Sequence, residues 1–243
     1  MIERTNIEGR VAVVTGGSRG IGLAIAEALV AGGASVVITG RDQAQLDSAS
    51  ARLGAVREGA AVHAVRADVR HAAAATRAVD AAVEHFGGLD VLVNNAGVGR
   101  FGDVADMPVE AWQDVIDTNL SGVFYCSQAA IPHLRRRGAG WIINISSLAS
   151  TNPSKGSAAY CASKAGLNAF TEALMQEVRY DNIRVGSVLP GSVSTGFGGR
   201  GPAGEADWKI APEDVADIVL GLITFPSRSL PSRVEVRPSR PKR

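Results

Sequence analysis

The sequence predicts an α/β fold, a doubly wound parallel sheet with helices on both faces. Short apolar runs rich in β-branched residues alternate with segments of helical periodicity along nearly the whole chain, and that alternation builds a parallel sheet. The runs are apolar throughout, not at every second residue, as expected of strands covered on both sides. Glycines, asparagines and serines collect just past the strand ends, where ligands bind in such sheets.

Each element follows from its residues. Arg10 to Thr15 is the first strand, followed by the turn Gly16-Gly-Ser-Arg-Gly-Ile-Gly22. Leu23, Ile25, Ala26, Leu29 and Val30 mark a helix that Gly32-Gly33 stops. Ser35 to Thr39 is the second strand, and Asp42 is placed to cap the helix through Leu46 and Leu53. Ala61 to Val65 is the third strand, ending at Asp68-Val69. An alanine-rich helix spans about residues 71–86, and Leu89 to Val93 is the fourth strand, running into Asn94-Asn95-Ala96-Gly97. A long helical segment covers 108–137, with Pro132 expected to bend it or split off its end. Trp141 to Ile145 is the fifth strand, and a helix through Tyr160 extends to about Arg179. Ile183 to Leu189 is the sixth strand, stopping at Pro190-Gly191. A glycine-rich stretch from Ser194 to Asp207 precedes a helix starting near Pro212, and Arg233 to Arg237 is the last strand. No linker or composition break interrupts this pattern, so residues 1–243 read as one domain.

Composition bounds the function. The chain has 243 residues, 46% hydrophobic and 20% charged, with net charge +1; this argues for neither nucleic acid nor a membrane surface as partner. Two cysteines, Cys126 and Cys161, fall in helical segments and read as reduced, buried thiols of a cytoplasmic protein. Neither a signal core nor an apolar run of ~18 residues is visible. His63, His71, His85 and His133 lack ligand spacing, so no metal is expected. Arg135-Arg136-Arg137 ends a helix and reads as complementation of its dipole. The basic, proline-rich tail, residues 238–243, is expected to be extended or disordered.

The glycine turn follows the first strand and opens a helix. Small residues there let a pyrophosphate approach the backbone, and the helix beginning at Ile21 offers free N–H donors. Its pattern is Thr15-Gly16-x-x-x-Gly20-x-Gly22, which differs from the usual Gly-x-Gly-x-x-Gly. An acidic residue ending the second strand would bind a ribose 2′-hydroxyl and repel a 2′-phosphate. This chain has Gly40-Arg41 there and Arg19 in the turn, which favours NADP(H) over NAD(H). The competing reading is that Asp42 takes the ribose hydroxyl.

Ser147 follows the fifth strand, and Tyr160 and Lys164 lie one helical turn apart on one face. A positive neighbour favours phenolate, so Lys164 is expected to pull the Tyr160 pKa below ~10. A phenol beside an ammonium, with a hydroxyl to hold an oxygen, suits carbonyl or alcohol chemistry.

Together, Thr15-Gly-x-x-x-Gly-x-Gly22, Asn94-Asn-Ala-Gly97, Asn119, Ser147, Tyr160-x-x-x-Lys164 and Pro190-Gly191 resemble the motif set of the short-chain dehydrogenase/reductase family, in its order, over about residues 10–225. The resemblance implies a Rossmann-type NAD(P)-binding domain. It makes Tyr160 the general acid in reduction, Ser147 the holder of the substrate oxygen, and Lys164 the holder of the nicotinamide ribose that depresses the Tyr160 pKa. Asn119 would support a proton-relay water through its backbone; a surface asparagine is the alternative. Gly16, Ser18, Arg19, Gly20, Ile21, Gly22 and Arg41 would bind the cofactor's phosphates. Asp68 and Val69 would meet adenine, and Asn95, Ala96 and Gly97 would line the adenosine side. Pro190, Gly191, Val193 and Thr195 would reach the nicotinamide and pyrophosphate.

Within the family the chain is most similar to bacterial 3-oxoacyl-(acyl carrier protein) reductases and general carbonyl reductases. The implied activity is NADPH-dependent interconversion of a ketone and a secondary alcohol, with a small-molecule carbonyl substrate. A non-catalytic NADP(H)-binding regulator is the alternative. A sugar-nucleotide epimerase would need a larger C-terminal domain than the thirty or so residues after Pro212 can build. A mobile lid is expected at about 194–211, with Gly196, Gly198, Gly199, Gly201 and Gly204. A homodimer or homotetramer would pack through the helices near 108–137 and 155–179; Val115, Phe124, Leu167 and Phe170 are each either core or interface. Where many relatives end the last strand Val-Asp-Gly-Gly, this chain has Val234-Glu-Val-Arg-Pro-Ser-Arg-Pro241.

Overall fold

The computed structural model describes residues 6–197 and 208–241. Seven parallel strands form one sheet in the order β3-β2-β1-β4-β5-β6-β7. They are β1 (Val11–Val14), β2 (Ser35–Gly40), β3 (Val62–Arg66), β4 (Val91–Asn94), β5 (Gly140–Ile145), β6 (Ile183–Pro190) and β7 (Arg233–Val236). The chain builds outward from β1 to β3, then returns to place β4 beside β1. The order therefore reverses between β1 and β4, and a crevice opens at their carboxyl ends.

The uninterrupted apolar runs explain the two-sided covering. Successive residues of a strand point to opposite faces, and here both faces are core. Ala12, Val14, Val36, Ile38, Val93 and Ile143 pack under α1 (Gly20–Ala31), α2 (Gln43–Gly54) and α7 (Pro212–Ile223). Val11, Val13, Val37, Leu92, Ile142 and Val185 pack under α3 (Ala72–Phe86), α5 (Gly122–Arg137) and α6 (Ala158–Val178). Cys126 and Cys161 are both buried thiols, and burial pushes the Cys126 thiol up to about 12.

The segment 108–137 corrects the single-helix reading. It divides into α4 (Val109–Ile116), a π-helical turn Asp117–Ser121, and α5. Pro132 does not split off the end of α5, since the helix runs through to Arg137. The neighbouring turns are anchored by Ala130 and Leu134, both fully buried, and that packing outweighs one lost backbone hydrogen bond. The three terminal arginines of α5 do more than face a dipole: Arg135 pairs with Asp181, Arg137 with Asp90, and Arg136 with His133. The ambiguous apolar positions separate cleanly. Val115 and Leu167 are fully buried, Phe124 is exposed, and Phe170 is half-buried with its ring edge-on to Phe124.

Among the described residues no helix is long and apolar enough to cross a membrane.

Candidate active site

At the carboxyl end of the sheet lies a cleft of about 1410 Å³. Its first wall is the glycine turn, held rigidly. Thr15 Oγ1, at the end of β1, accepts hydrogen bonds of 3.0 Å from the backbone N–H groups of both Asn95 and Ala96. Asn95 Nδ2 reaches back to donate to the carbonyls of Thr15 and Gly16, at 2.9 and 3.1 Å. Asn95 thus lines the cleft and also clamps the turn, a role the sequence did not disclose. Gly16 and Gly20 have φ of 64° and 55°, the left-handed region glycine tolerates. Gly22 differs from the rest of its motif. It is buried behind the turn, outside the cleft lining, and a Cβ there would collide with the Gly16 carbonyl oxygen and Asn95 Nδ2. Packing of helix on turn therefore requires a glycine here.

The end of β2 carries the charge. Ser18 Oγ lies 3.2 Å from where a Cβ on Gly40 would stand, and Arg19 and Arg41 are both exposed at the cleft. Asp42, the competing ribose ligand, accepts a 3.0 Å hydrogen bond from Gln45 N–H and caps α2. Arg66, at the end of β3, donates to the Arg41 carbonyl at 3.2 Å and brings a third guanidinium to this corner. Asp68 is also committed: Arg70 grips its carboxylate at 2.6 Å and holds it below the usual carboxylate range, while the other arm of Arg70 pairs with Asp114 of α4 at 2.9 Å. Asp68 and Val69 both face the cleft.

The next wall holds Ser147, Tyr160 and Lys164. Ser147 leaves β5 as the cap of a short 3-10 turn, its Oγ accepting from Ala149 N–H at 3.1 Å. Tyr160 and Lys164 come from the first turns of α6, as the spacing predicts. Lys164 is 4% exposed, and its Nζ donates to the Ile145 carbonyl at 2.8 Å. Burial pushes this ammonium down to about 8. Its Nζ lies 5.9 Å from the Tyr160 ring centroid. Here the expected pKa effect is overturned. Burial is the largest influence on the Tyr160 phenol and raises its pKa; a hydrogen bond with Ser147 works against it, and Lys164 is not among the causes. In this structure the phenol is held as a proton donor, and the group that lowers its pKa is the serine.

The buried ammonium has a testable consequence. Its pKa is about 8 folded against 10.5 ordinarily, so below pH 8 the fold carries an unfavourable charge. That burden lifts as pH rises through the window from 8 to 10.5. The stability difference between Lys164→Met and wild type should therefore shift toward wild type across this window, by on the order of 3 kcal/mol. Denaturant melts of both proteins at pH 7 and pH 10.5 would measure it; an unchanged difference contradicts the assignment.

Asn119 is neither on the surface nor in the cleft lining. It is fully buried in the π-helical turn. Its Oδ1 accepts from Val98 N–H at 2.8 Å, and its Nδ2 donates to the Val98 carbonyl and Ser163 Oγ at 2.9 and 3.0 Å. The side chain thus ties the loop after β4 to α6, next to Lys164. The side chain therefore acts by positioning, and its burial overturns the surface alternative, while the backbone role is the one the resemblance implies.

The far wall comes from β6 and the tail. Pro190, Gly191, Val193 and Thr195 all line the cleft. Thr195 faces the turn, its Cγ2 lying 3.3 Å from where a Cβ on Gly20 would stand. Val193 pairs with Ile210 across the foot of the predicted lid; Gly198, Gly199, Gly201 and Gly204, on which that prediction rested, lie outside the described residues. The tail is a correction. Gly191 N–H donates to the Val236 carbonyl at 2.8 Å, a Cβ on Gly191 would meet Pro238 Cδ at 3.0 Å, and Pro238 and Pro241 both line the cleft. Pro238 and Pro241 form part of the site wall, and a side-chain-free Gly191 lets Pro238 pack there; Lys242 and Arg243 lie outside the described residues.

Sequence reasoning missed Phe101 and Phe197, whose rings flank Tyr160 at 5.9 and 5.6 Å between centroids. It also missed Asn144, which accepts from Asn94 Nδ2 at 2.9 Å and donates to Thr171 Oγ1 at 2.8 Å beneath the site. A polar residue inside an all-apolar strand was the available signal for Asn144, since a buried amide needs partners.

These residues fit a dinucleotide. Gly16 and Gly20 leave the backbone of the cradle open on the cleft, and Arg19 leaves the first turn of α1 without a side-chain cap. The buried Oγ1 atoms of Thr39 and Thr118, both on residues lining the cleft, have no hydrogen-bond partner among the described residues.

Comparison with known proteins agrees with this geometry. Residues 10–205 match the family model described as short chain dehydrogenase. An uncharacterized oxidoreductase of Staphylococcus saprophyticus is 36% identical over 236 residues, covering 96% of this chain and 98% of that protein. A metagenomic short-chain oxidoreductase solved in complex with NADP superposes with a TM-score of 0.85 at 38% identity, covering 98% of this chain and all of that one. An alcohol dehydrogenase from the archaeon Thermococcus sibiricus, complexed with 5-hydroxy-NADP, gives a TM-score of 0.88 at 29% identity, covering 96% and 99%.

Proposed function

This chain belongs to the short-chain dehydrogenase family of NAD(P)-dependent oxidoreductases, and on that premise we propose that it is an NADPH-dependent reductase interconverting a ketone and a secondary alcohol. The observation that carries the reading is the convergence of Ser147, Tyr160 and Lys164 on the cleft whose other end is the glycine cradle. The nicotinamide supplies hydride when bound. Ser147 Oγ holds the substrate oxygen, Tyr160 delivers its proton to that oxygen, and Lys164 is placed to hold ribose hydroxyls and the positive charge near the phenol. Orienting donor and acceptor can lower the barrier by about 7–11 kcal/mol, and proton transfer adds about 10²–10⁴-fold.

NADPH is the preferred cofactor in this reading. Arg19, Arg41 and Arg66 crowd the end of β2 and β3, while Asp42 is occupied as a helix cap. The cofactor of both solved relatives named above carries the 2′-phosphate. A 3-oxoacyl thioester is one carbonyl substrate to include beside simple ketones. The test is a ketone panel run with NADPH and NADH in parallel. Turnover should favour NADPH, and Arg41→Ala should reduce the NADPH-to-NADH ratio of kcat/KM by roughly tenfold, as loss of one charge-assisted contact predicts. Equal use of both cofactors by wild type would refute the preference. Tight NADPH binding with no ketone reduced would favour a regulatory protein.

A further inference from the structure

We infer that the chain's own C-terminal segment sets substrate specificity: Pro238 and Pro241, with Leu148, form an apolar wall beside Ser147 that receives the alkyl arm of the ketone. This rests on the reductase reading above. Strand β7 pairs with β6 as far as Val236 opposite Pro190, so it stops level with the edge where the cleft opens. Gly191 N–H donates to the Val236 carbonyl at 2.8 Å, and beyond that bond the chain leaves the sheet. Prolines at 238 and 241 have no N–H to continue the ladder, and their rings fix φ, so little chain freedom is lost in holding the segment there. The segment is sorted by polarity. Pro238 and Pro241 line the cleft, whereas Arg237, Ser239 and Arg240 are exposed and do not line it. Arg237 is paired with Glu235 at 2.8 Å.

Gly191 fixes the corner these residues occupy. The atoms nearest to where its Cβ would stand are Pro238 Cδ at 3.0 Å, Leu148 Cδ1 at 3.2 Å and the Val236 carbonyl oxygen at 3.4 Å. Pro238 and Leu148 thus flank one position without a side chain, and Leu148 follows directly on Ser147, the holder of the substrate oxygen. The wall therefore stands at the end of the cleft where the carbonyl is held. Leu148 and Pro238 are each half-buried and both line the cleft, so apolar surface is left there for a ligand to cover. Each methylene of an arm laid along them is removed from water, a gain that a short ketone does not make. An ammonium also lines the cleft: Lys209, its Nζ 5.9 Å from the Trp208 ring centroid. It would favour an arm ending in a carboxylate, and the test sets that rival beside the alkyl arm.

The experiment compares kcat/KM with NADPH for 2-butanone, 2-octanone and 7-oxooctanoate. The proteins are wild type, the full chain carrying both Pro238→Ser and Pro241→Ser, and a chain ending at Arg237. 2-Octanone is 2-butanone with a longer alkyl arm, and 7-oxooctanoate is 2-octanone with a carboxylate in place of its terminal methyl. Wild type should favour 2-octanone over 2-butanone by about tenfold or more, and each variant should cut that ratio at least about fivefold, chiefly through KM. The serine pair keeps the whole chain and serves should the shortened one fail to fold. Damage to the fold alone would slow both ketones alike and leave the ratio in place. A ratio that both variants retain therefore overturns the inference, as does one that rises when the prolines are removed. A wild-type preference for 2-butanone or for 7-oxooctanoate over 2-octanone also overturns it. These results leave the reductase reading standing. Reduction of no ketone at all, with NADPH bound, sinks the reductase reading and this inference with it.

Discussion

Tyr160→Phe should lower kcat for ketone reduction by about 10²–10⁴-fold while leaving NADPH affinity within a few-fold of wild type. The substitution keeps the ring and its contacts with Phe101 and Phe197, and removes only the hydroxyl. What is lost is the proton donor. The phenol is held protonated by burial and steadied by Ser147, so no other described side chain at this point of the cleft offers an acid of matching geometry. Lys164 does not replace it, because its Nζ is turned onto the Ile145 carbonyl at 2.8 Å. Single-turnover kinetics with fluorescence titration of NADPH would separate the two effects. A Phe variant that turns over at the wild-type rate would remove Tyr160 from the mechanism.

Gly22→Ala should be the most damaging change on the cofactor side, although Gly22 does not face the cleft. Its Cβ would overlap the Gly16 carbonyl and the Asn95 amide, the two partners that lock the turn to the chain after β4. Relieving the clash displaces either the turn or the clamp. The expected outcome is a loss of about 1–3 kcal/mol in stability, as overpacking typically causes. NADPH affinity should fall at least about tenfold, since misplaced donors no longer meet the phosphates. Gly54→Ala is the control, since nothing lies within 4 Å of a Cβ at that helix end. Calorimetry of NADPH binding to both variants checks it, and a Gly22→Ala protein with wild-type affinity would contradict the clamp.

Much of this was readable before any coordinates. The strands were legible because Val11–Val14, Val91–Asn94 and Gly140–Ile145 carry few residues that any other environment would accept. Ser147, Tyr160 and Lys164 were legible because helical spacing and strand ends fix where short motifs point. The remainder depended on contacts between distant segments. Asp117 to Ser121 reads as ordinary helix, and only the partners of Asn119 at Val98 and Ser163 reveal why the chain widens there. Pro238 and Pro241 looked like a free tail, because nothing local announces that Gly191 offers them a surface. The Tyr160 pKa was misjudged for a related reason. Spacing shows a charged neighbour but not the burial of both groups, and at 5.9 Å with its own carbonyl partner Lys164 has less influence than desolvation. Phe101 and Phe197, 96 residues apart by their numbers, meet only through the fold.

The most direct measurement follows deuterium from NADPH deuterated at both hydrogens of the nicotinamide C4 during reduction of a ketone of the panel that wild type turns over. The account predicts one deuterium on the carbinol carbon of each alcohol formed, and formation of that labelled alcohol slowed by about 10²–10⁴-fold when Tyr160→Phe replaces wild type under the same conditions. Label retained on the cofactor, with NADPH bound and every ketone of the panel unreduced, would contradict it.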